Sequence, residues 1–418
     1  MFGMELRIKG PTLLIILCAM IFLSPSIAPA QTYTILHHFS GAEGANPADG
    51  LSIDHAGRLY GVTFNGGFQQ GSCSPNGCGT VFRMTPAGSG WLFSPLYKFA
   101  NVPDGAHPYG RVILGPDGAL YGTTQYGGNG NGTVFRLAPP PTAPKNALAP
   151  WNASILHAFG GPGDGYDLID AGGLVFDGAG KLYGTSYFGG PDSGGIVFEL
   201  TPSNGGWTES ILYGFRNDGI DGENPSAGVI VDHAGNVYGA TNLNGCRASC
   251  AGTVFQLTLS ASGWTENILY SFDSDGAAGE EPEGGLIMDS AGNLYGSTVG
   301  GFYGATVFEL TPSNGTWTLS VLAYVAGGLG FGPSSSLLLD EAGNLYGTTY
   351  SGGAFGDGNV FKLTRSGGTW TLSTLHDFHG GDGRNPRCNL IMDANGNLYG
   401  TTYAGGRNNL GVVFEITP

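Results

Sequence analysis

The stretch GLIMDSAGNLYG at residues 285–296, continued by TVFELTP at 306–312, decides the fold of this 418-residue chain. Its centre is a glycine two residues before Leu-Tyr-Gly or Val-Tyr-Gly. This pattern occurs seven times with a mean period of about 56 residues, within or just above the range of β-propeller blades. A tandem array therefore replaces the two or three ordinary domains that length alone would predict. The repeated tyrosines are Tyr60, Tyr121, Tyr183, Tyr238, Tyr295, Tyr346 and Tyr399.

The composition favours a β-rich protein with many tight turns. The chain has 77 glycines and only 11% charged residues, whereas long helices favour Ala, Glu and Lys. The hydrophobic content of 41% is enough for a sizeable core, so the composition is not that of a disordered chain.

Each repeat predicts four short β-strands. In the repeat quoted above, an apolar run at 286–289 is followed by a tight turn and a second strand at 294–298. A glycine-rich loop then leads to a third strand at 306–310, in which buried and exposed side chains alternate. Pro312 is predicted to end this strand, because proline cannot donate a hydrogen bond to a β-ladder. The fourth strand begins with tryptophan, as at 207–215, 264–272 and 370–378.

An acidic residue ends the first strand of most repeats. Asp289 precedes the turn in which Gly292 supplies a positive φ, so its carboxylate can cap that turn. A metal carboxylate in every blade is the alternative, but turn capping explains the pattern without a metal. The second repeat has Gly115 in this place. The acids of the other repeats are Asp54, Asp177, Asp232, Asp289, Asp340 and Asp393.

The two ends of the array are complementary. Residues 33–39 match only the fourth strand of a repeat, and residues 389–418 match only the first three. The N-terminal strand is therefore predicted to complete the last blade from outside, which leaves only short, protected strand edges. We predict an all-β, seven-bladed β-propeller of four-stranded antiparallel blades, formed as a single domain by residues 31–418.

Residues 1–30 differ from the repeats and predict a secretory signal peptide. Arg7 and Lys9 give a basic start, an apolar run spans 13–23, and Ala28 and Ala30 form a small-residue cleavage site. An uncleaved membrane anchor is the alternative, although the apolar run is short for a span. We expect a secreted, periplasmic or extracellular protein with no membrane insertion after cleavage.

The net charge excludes two classes of partner. The chain carries a formal charge of −16, which becomes about −17 after cleavage because residues 1–30 contain two basic residues and one acidic residue. Nucleic acids and anionic membranes attract basic surfaces, so neither is an expected partner. Cations, cationic groups and neutral glycans remain open.

Cysteine spacing favours local disulfides. Cys73 and Cys78 are five residues apart, and Cys246 and Cys250 are four apart, in equivalent loops of their repeats. In an exported protein such pairs are typical of disulfides, and a zinc site shared by the two pairs is the alternative. Cys388 begins an apolar strand and is predicted to be a buried free thiol.

The repeat resembles that of the tandem GloVer-repeat proteins, an exported bacterial family with varied C-terminal anchors. The resemblance rests on Gly-Asn-Leu-Tyr-Gly-Thr-Thr, as at 343–350 and 396–403, and on Gly-Thr-Val-Phe-Glu-Leu-Thr-Pro, and it covers residues 33–418. The strand order is also similar to that of NHL-type propellers. The resemblance implies export and a propeller but assigns no reaction or catalytic residue. Because no anchor follows Pro418, surface attachment is not expected.

Candidate binding residues lie in loops around the predicted channel mouth. In a propeller, the loops from fourth to first strand and from second to third strand lie on one face. Five of the seven loops in the first set carry aspartate, which predicts an acidic rim that binds a cation, a sugar or a basic peptide. Ordinary turn chemistry is the alternative. The predicted binding residues are Asp104, His107, Asp164, Asp218, Asp221, Asp275, Glu281, Asp382 and Arg384.

Neither a metal ligand nor a cofactor is assigned. Calcium is a hypothesis for the densest acidic cluster, because like charges need a counter-ion, although no calcium-loop signature is present. This cluster comprises Asp273, Asp275, Glu280, Glu281 and Glu283, beside Asp218, Asp221 and Glu223.

The remaining histidines are not predicted to be ligands. A fourth-strand position holds histidine in some repeats and tyrosine in others, which indicates an amphipathic edge position. The histidines are His37 or His38, His157 and His376, and the tyrosines are Tyr97, Tyr213 and Tyr270.

The sequence favours a non-catalytic function. It contains no nucleophile elbow, zinc-protease helix or phosphate-cradling loop. We predict an exported monomer that binds an extracellular glycan or protein at its acidic loop face. One alternative is a carbohydrate-active hydrolase or lyase that uses rim carboxylates and His107. A structural cell-surface protein is the second alternative, since fold alone does not define function.

Overall fold

The computed structural model describes residues 31–140, 151–161, 163–168, 173–245, 250–273, 276–301, 303–325, 332 and 335–418. The predicted signal peptide, Asp275 and Cys246 therefore lie outside the described residues. Within these ranges the only helix is a short 3-10 turn at Gly71–Cys73. No helix in the described part of the chain is long and apolar enough to span a membrane.

Seven antiparallel sheets form the blades of a β-propeller, as the repeat predicts. The innermost strands are Ser52–Ile53, Ile113–Leu114, Val175–Phe176, Ile230–Val231, Ile287–Met288, Leu338–Leu339 and Ile391–Met392. The second strands are Leu59–Thr63, Leu120–Tyr126, Leu182–Ser186, Val237–Asn244, Leu294–Ser297, Leu345–Thr349 and Leu398–Thr402. We number the blades 1–7 in this order.

The outer half of each blade is a longer hairpin. The third strands are Thr80–Ala87, Thr133–Ala138, Ser193–Ser203, Cys250–Ser260, Thr306–Ser313, Asn359–Ser366 and Val412–Thr417. The outermost strands are Gly90–Lys98, Asn152–Ala158, Gly206–Arg216, Gly263–Asp273, Thr316–Tyr324, Thr369–Asp377 and Thr32–His38. Four further short strands lie in the loops, at Ala106–Pro108, Gly165–Tyr166, Phe188–Gly189 and Gly222–Pro225.

The N-terminal strand closes the ring, which confirms the predicted closure. Thr32–His38 pairs antiparallel with Val412–Thr417, and Tyr33 lies opposite Ile416. The first described strand of the chain thereby becomes the outermost strand of the last blade, and it covers the edge that this blade would otherwise expose.

The repeated acid caps its turn, as predicted. Asp289 accepts hydrogen bonds from the backbone N–H of Ala291 (2.9 Å) and Asn293 (2.9 Å) and from the Tyr295 hydroxyl (3.2 Å). Burial acts to raise the pKa of Asp289, but these hydrogen bonds outweigh it and lower the pKa. In blade 2, where the acid is missing at Gly115, Asp117 bonds Ala119 N–H and the Tyr121 hydroxyl instead.

The glycine after the repeated tyrosine has a packing function. A β-carbon at Gly296 would lie 2.4 Å from Cζ of Phe308, which is closer than two carbons can pack. The same contact recurs in every blade, so the bare backbone of the second strand receives the phenylalanine ring of the third. The other pairs are Gly61–Phe82, Gly122–Phe135, Gly184–Phe198, Gly239–Phe255, Gly347–Phe361 and Gly400–Phe414.

Gly296→Ala is expected to lower the free energy of unfolding by about 1–2 kcal/mol, because the fully buried Phe308 ring must shift in a close-packed core. Urea denaturation measures the change. Gly205→Ala is the control, since a β-carbon at Gly205 meets no atom within 4 Å. Equal stability of the Gly296 variant and the wild type would contradict this packing argument.

Paired phenylalanines join neighbouring blades. The ring that ends each outermost strand packs edge to face on the third-strand ring of the next blade, as in Phe272–Phe308, with centroids 5.3 Å apart. Val325 takes this place between blades 5 and 6, beside Phe361. The other pairs are Phe39–Phe82, Phe99–Phe135, Phe159–Phe198, Phe215–Phe255 and Phe378–Phe414. The buried apolar residues thus form seven hydrophobic clusters, one at each junction between neighbouring blades.

The described cysteines agree with the sequence prediction. Cys73 and Cys78 form a disulfide in the loop after the second strand of blade 1. Cys388 is a free thiol with no exposed surface, and burial raises its pKa to about 12. The Cys246–Cys250 pair cannot be assigned because Cys246 lies outside the described residues.

Candidate functional site

The innermost strands and the segments leading into them surround a central tunnel of about 900 Å³. All seven blades contribute to its wall. The volume is in the range of ligand sites in proteins, which are concave and combine apolar walls with a few polar groups. We take the tunnel as the candidate site and describe its charged residues below.

The same backbone turn recurs in five blades and places one residue of each in the tunnel wall. In each of these blades a residue with φ between +55° and +58° is followed by proline, and the residue after the proline contributes to the tunnel wall. The left-handed residue turns the chain inward, and the proline fixes the direction that follows. The left-handed residues are Asn46, His107, Asn224, Glu281 and Asn385, and the residues after the prolines are Ala48, Tyr109, Ser226, Glu283 and Arg387.

His107 links two blades. Its Nδ1 lies 2.9 Å from the carbonyl oxygen of Phe64 in the preceding blade, to which it donates. Asn224 and Asn385 make the same link through their side-chain amides, to the carbonyls of Tyr187 (2.9 Å) and Tyr350 (3.0 Å). Burial lowers the pKa of His107, which favours the neutral ring. The predicted binding residue therefore occupies a structural position that asparagine fills in other blades.

Arg387 is the most distinctive side chain of the tunnel. Its guanidinium lies over the ring of Tyr350 at 4.4 Å and over that of Tyr403 at 5.6 Å, and its Nη1 donates to the hydroxyl of Tyr109 at 3.0 Å. Its Nε is buried and has no hydrogen-bond partner among the described residues. In the same part of the chain no carboxylate lies within ion-pair distance of Arg387. It is a half-buried cation with no counter-ion among the residues that the structure describes.

Asp49 joins three blades within the tunnel wall. Its carboxylate accepts hydrogen bonds from the backbone N–H groups of Gly50 (2.5 Å), Arg111 (2.9 Å) and Asn389 (3.4 Å). Burial raises the pKa of Asp49, and these hydrogen bonds and the charge of Arg111 act in the opposite direction. Both oxygens of Asp49 are thus used within the wall, whereas the side chain of Arg111 adds a second cation to the lining.

Blade 5 adds two acids to the tunnel. Glu281 and Glu283 of blade 5 both contribute to the lining, and Glu283 accepts from the side-chain amide of Asn242 at 3.3 Å. The tunnel lining therefore contains arginines from blades 2 and 7, Asp49 from blade 1 and two glutamates from blade 5.

The predicted rim acids bind their own loops. Asp104 accepts from the hydroxyl of Tyr97 at 2.6 Å, and Asp382 lies 2.7 Å from Nε2 of His376. Asp164 is 3.3 Å from Nε2 of His157 and also accepts backbone N–H groups of its loop. In each case the acid caps the loop by bonding the His or Tyr of the preceding outermost strand. This contact explains the His–Tyr exchange seen in the sequence.

The other predicted residues are similarly dispersed. Asp221 accepts from the Tyr213 hydroxyl and from Arg216, while Asp218 caps the same loop through the N–H of Ile220 and Asp221. Arg384 donates to Asn409 of its own blade at 3.0 Å. Of the nine predicted residues, Asp275 lies outside the described residues and only Glu281 contributes to the tunnel lining. The structure brings the rest to separate blade junctions rather than to one site.

Sequence reasoning missed the tunnel residues. Asp49, Tyr109, Arg111, Tyr350 and Arg387 were not predicted to bind anything. Two signals could have found most of them. One signal is the proline in the loop before the innermost strand, because the residue after it lies in the tunnel wall, as at Tyr109 and Arg387. The other is the residue that follows Tyr-Gly-x-Thr, as at Tyr350 and Tyr403.

These observations define a seven-bladed propeller with a ligand-sized central tunnel. The chain belongs to the Gloeobacter/Verrucomicrobia repeat family, whose model matches residues 25–166, 146–319 and 300–418. This confirms the resemblance found in the repeat. No curated protein matches the chain.

Solved structures with similar folds are distant in sequence. A candidate 6-phosphogluconolactonase from Bacteroides uniformis is 16% identical, with a TM-score of 0.51 and coverage of 82% of this chain and 86% of that one. A fungal alcohol oxidase of the AA5 family, in complex with copper, is 13% identical, with a TM-score of 0.57 and coverage of 93% and 76%. At these identities the similarity shows the propeller fold alone.

Proposed function

We propose that this protein is an exported, non-catalytic binding propeller whose ligand is a short acidic carbohydrate held in the mouth of the central tunnel. The observation that carries this proposal is Arg387, a half-buried cation that contacts three tyrosines and has no carboxylate partner among the described residues. A buried charge without a counter-ion is costly, and an anionic ligand would offset that cost.

The groups around Arg387 suit a sugar. Aromatic rings can stack on the apolar face of a pyranose, and the hydroxyls of Tyr109 and Tyr350 can exchange hydrogen bonds with sugar hydroxyls. The guanidinium can bind a carboxylate through two parallel N–H donors. A tunnel of about 900 Å³ can hold a ligand of a few rings.

The net charge limits the ligand to one with few acidic groups. With a formal charge of −16, the protein repels a long polyanion at a distance, although Arg387 and Arg111 attract an anion locally. A short oligosaccharide with a single uronic acid meets both conditions. The hydrolase alternative needs a pair of rim carboxylates in one site, but Asp104, Asp164 and Asp382 are bound at separate blade junctions, and of the predicted binding acids that the structure describes only Glu281 contributes to the tunnel.

The test compares cellobiouronic acid with neutral cellobiose by isothermal titration calorimetry. We expect the acidic disaccharide to bind more tightly, and Arg387→Gln to weaken its binding by about 10- to 100-fold, which corresponds to a charged hydrogen bond of about 1.5–3 kcal/mol. Arg384→Gln is the matched control, because Arg384 lies three residues away but does not contribute to the tunnel. Equal affinity for the two sugars, or equal losses in the two variants, would refute the proposal.

A further inference from the structure

A second polar cluster lies outside the tunnel, at the junction of blades 2 and 3. His157 belongs to the outermost strand of blade 2, and Glu209 belongs to the outermost strand of blade 3. Asp164 lies in the loop that leads from blade 2 into the innermost strand of blade 3. The Nε2 of His157 is 3.3 Å from a carboxylate oxygen of Asp164 and 3.5 Å from one of Glu209. One donor atom of each residue lies within 4.8 Å of the other two.

The spacing of these atoms fits a tetrahedral metal site. Zinc binds imidazole nitrogen and carboxylate oxygen at about 2.0–2.2 Å, so two ligands of a tetrahedral ion lie about 3.3–3.6 Å apart. Both measured separations from His157 fall in that range or at its edge. They are longer than the 2.7 Å contact between His376 and Asp382, which occupy the equivalent positions between blades 6 and 7.

Among the junctions that contain a histidine, the third residue of the cluster distinguishes this one. At the equivalent position the other histidines meet an aromatic ring: Tyr33 stacks on His376 with centroids 3.8 Å apart, and Phe93 stacks on His37 at 4.1 Å. Glu209 replaces that ring with a carboxylate. Its side chain is only 16% exposed, and its Oε1 is buried with no hydrogen-bond partner among the described residues. A buried carboxylate oxygen without a donor is available to coordinate a cation.

Charge balance also favours a divalent cation. Two ionised carboxylates and a neutral imidazole would neutralise an ion of charge +2. Backbone N–H groups of Gly160 and Gly165 orient the Asp164 carboxylate, as outer-shell groups do in metal sites.

We propose that His157, Asp164 and Glu209 bind a divalent transition-metal ion, for which Zn²⁺ is the probe, and that this ion joins blades 2 and 3. Imidazole with carboxylates selects ions such as zinc over calcium, which prefers oxygen alone. His157 is 21% exposed, so water and ions can reach the cluster from solvent. The site is separate from the tunnel and does not depend on the proposed sugar binding.

The experiment titrates the purified protein, stripped with a chelator and freed of any affinity tag, with ZnCl₂ in a calorimeter. We expect one ion per chain and a higher melting temperature with zinc, because a ligand that binds only the folded state stabilises it. His157→Gln and Glu209→Gln should each weaken the affinity by about 100-fold or more, since even outer-shell changes cost about 10- to 100-fold.

Matched variants keep the test decisive. His376→Gln should retain wild-type zinc affinity, because Tyr33 rather than a carboxylate completes that junction. Glu209→Gln keeps the shape of the side chain and removes a buried charge, so it reports on binding even if His157→Gln does not fold. Absence of saturable zinc binding by the wild type, or wild-type affinity in the Glu209 variant, would overturn the proposal.

Discussion

Replacing Phe39 by alanine is expected to lower the free energy of unfolding by about 3–5 kcal/mol, as for other fully buried phenylalanines. Phe39 follows the N-terminal strand, has no exposed surface and packs on Phe82 of blade 1 with ring centroids 5.4 Å apart. Truncation would leave a cavity lined by Leu51 and Leu59 at the point where the last blade meets the first. Guanidinium denaturation measures the change.

Phe272→Ala gives the internal standard for this prediction. Phe272 makes the same contact, at 5.3 Å from Phe308, at a junction within the continuous chain. If the N-terminal strand closes the ring as firmly as covalently continuous blades pack, the two variants lose similar free energy. Phe355→Ala should change stability by less than about 0.5 kcal/mol, because Phe355 is 64% exposed. A loss at Phe39 that is as small as the loss at Phe355 would contradict closure by this strand.

Glu266→Gln is expected to make the protein more stable than the wild type by about 4–5 kcal/mol above pH 8. Glu266 of blade 4 lies 3.2 Å from the Tyr213 hydroxyl, which also donates to the fully buried Asp221. Burial and the neighbouring Asp221 raise the pKa of Glu266 from 4.5 to about 8, and Tyr213 and Arg216 only partly oppose them. The folded protein therefore holds a proton that the unfolded chain releases.

The direction of the pH effect follows from this difference. Between about pH 4.5 and pH 8 the folded state binds more protons at Glu266, so its contribution to stability is full below pH 4.5 and is lost as the pH rises to about 8. Glutamine cannot ionise and removes that loss. Urea denaturation at pH 5 and pH 9 should show a stabilising effect only at the higher pH. Glu341→Gln, at an exposed position, is the control. A Glu266 variant whose stability falls in parallel with the wild type would refute this account.

The fold could be predicted because its determinants are local and repeated. Asp289, Gly292, Tyr295 and Gly296 each have a function within one blade, as turn cap, turn, hydrogen-bond donor and ring contact. Seven copies made the pattern unambiguous. Closure could also be predicted, because a lone fourth strand at residues 33–39 complements the three strands of the last repeat.

The site could not be predicted because it depends on which loop residue faces inward. The rim acids attracted attention by charge, but Asp104 and Asp382 bond side chains seven and six residues earlier in the chain. Arg387 became notable only when Tyr109, 278 residues away, was placed beside it. Glu209 occupies a position that is aromatic at two other junctions, and only packing between blades reveals what it meets.

The most direct test of the central claim is a crystal structure of the protein soaked with cellobiouronic acid. Our account predicts that the sugar lies in the central tunnel, with its carboxylate on the guanidinium of Arg387 and a ring against Tyr350 or Tyr403. Sugar bound at the acidic rim loops around Asp104 or Asp382, with an empty tunnel, would contradict it.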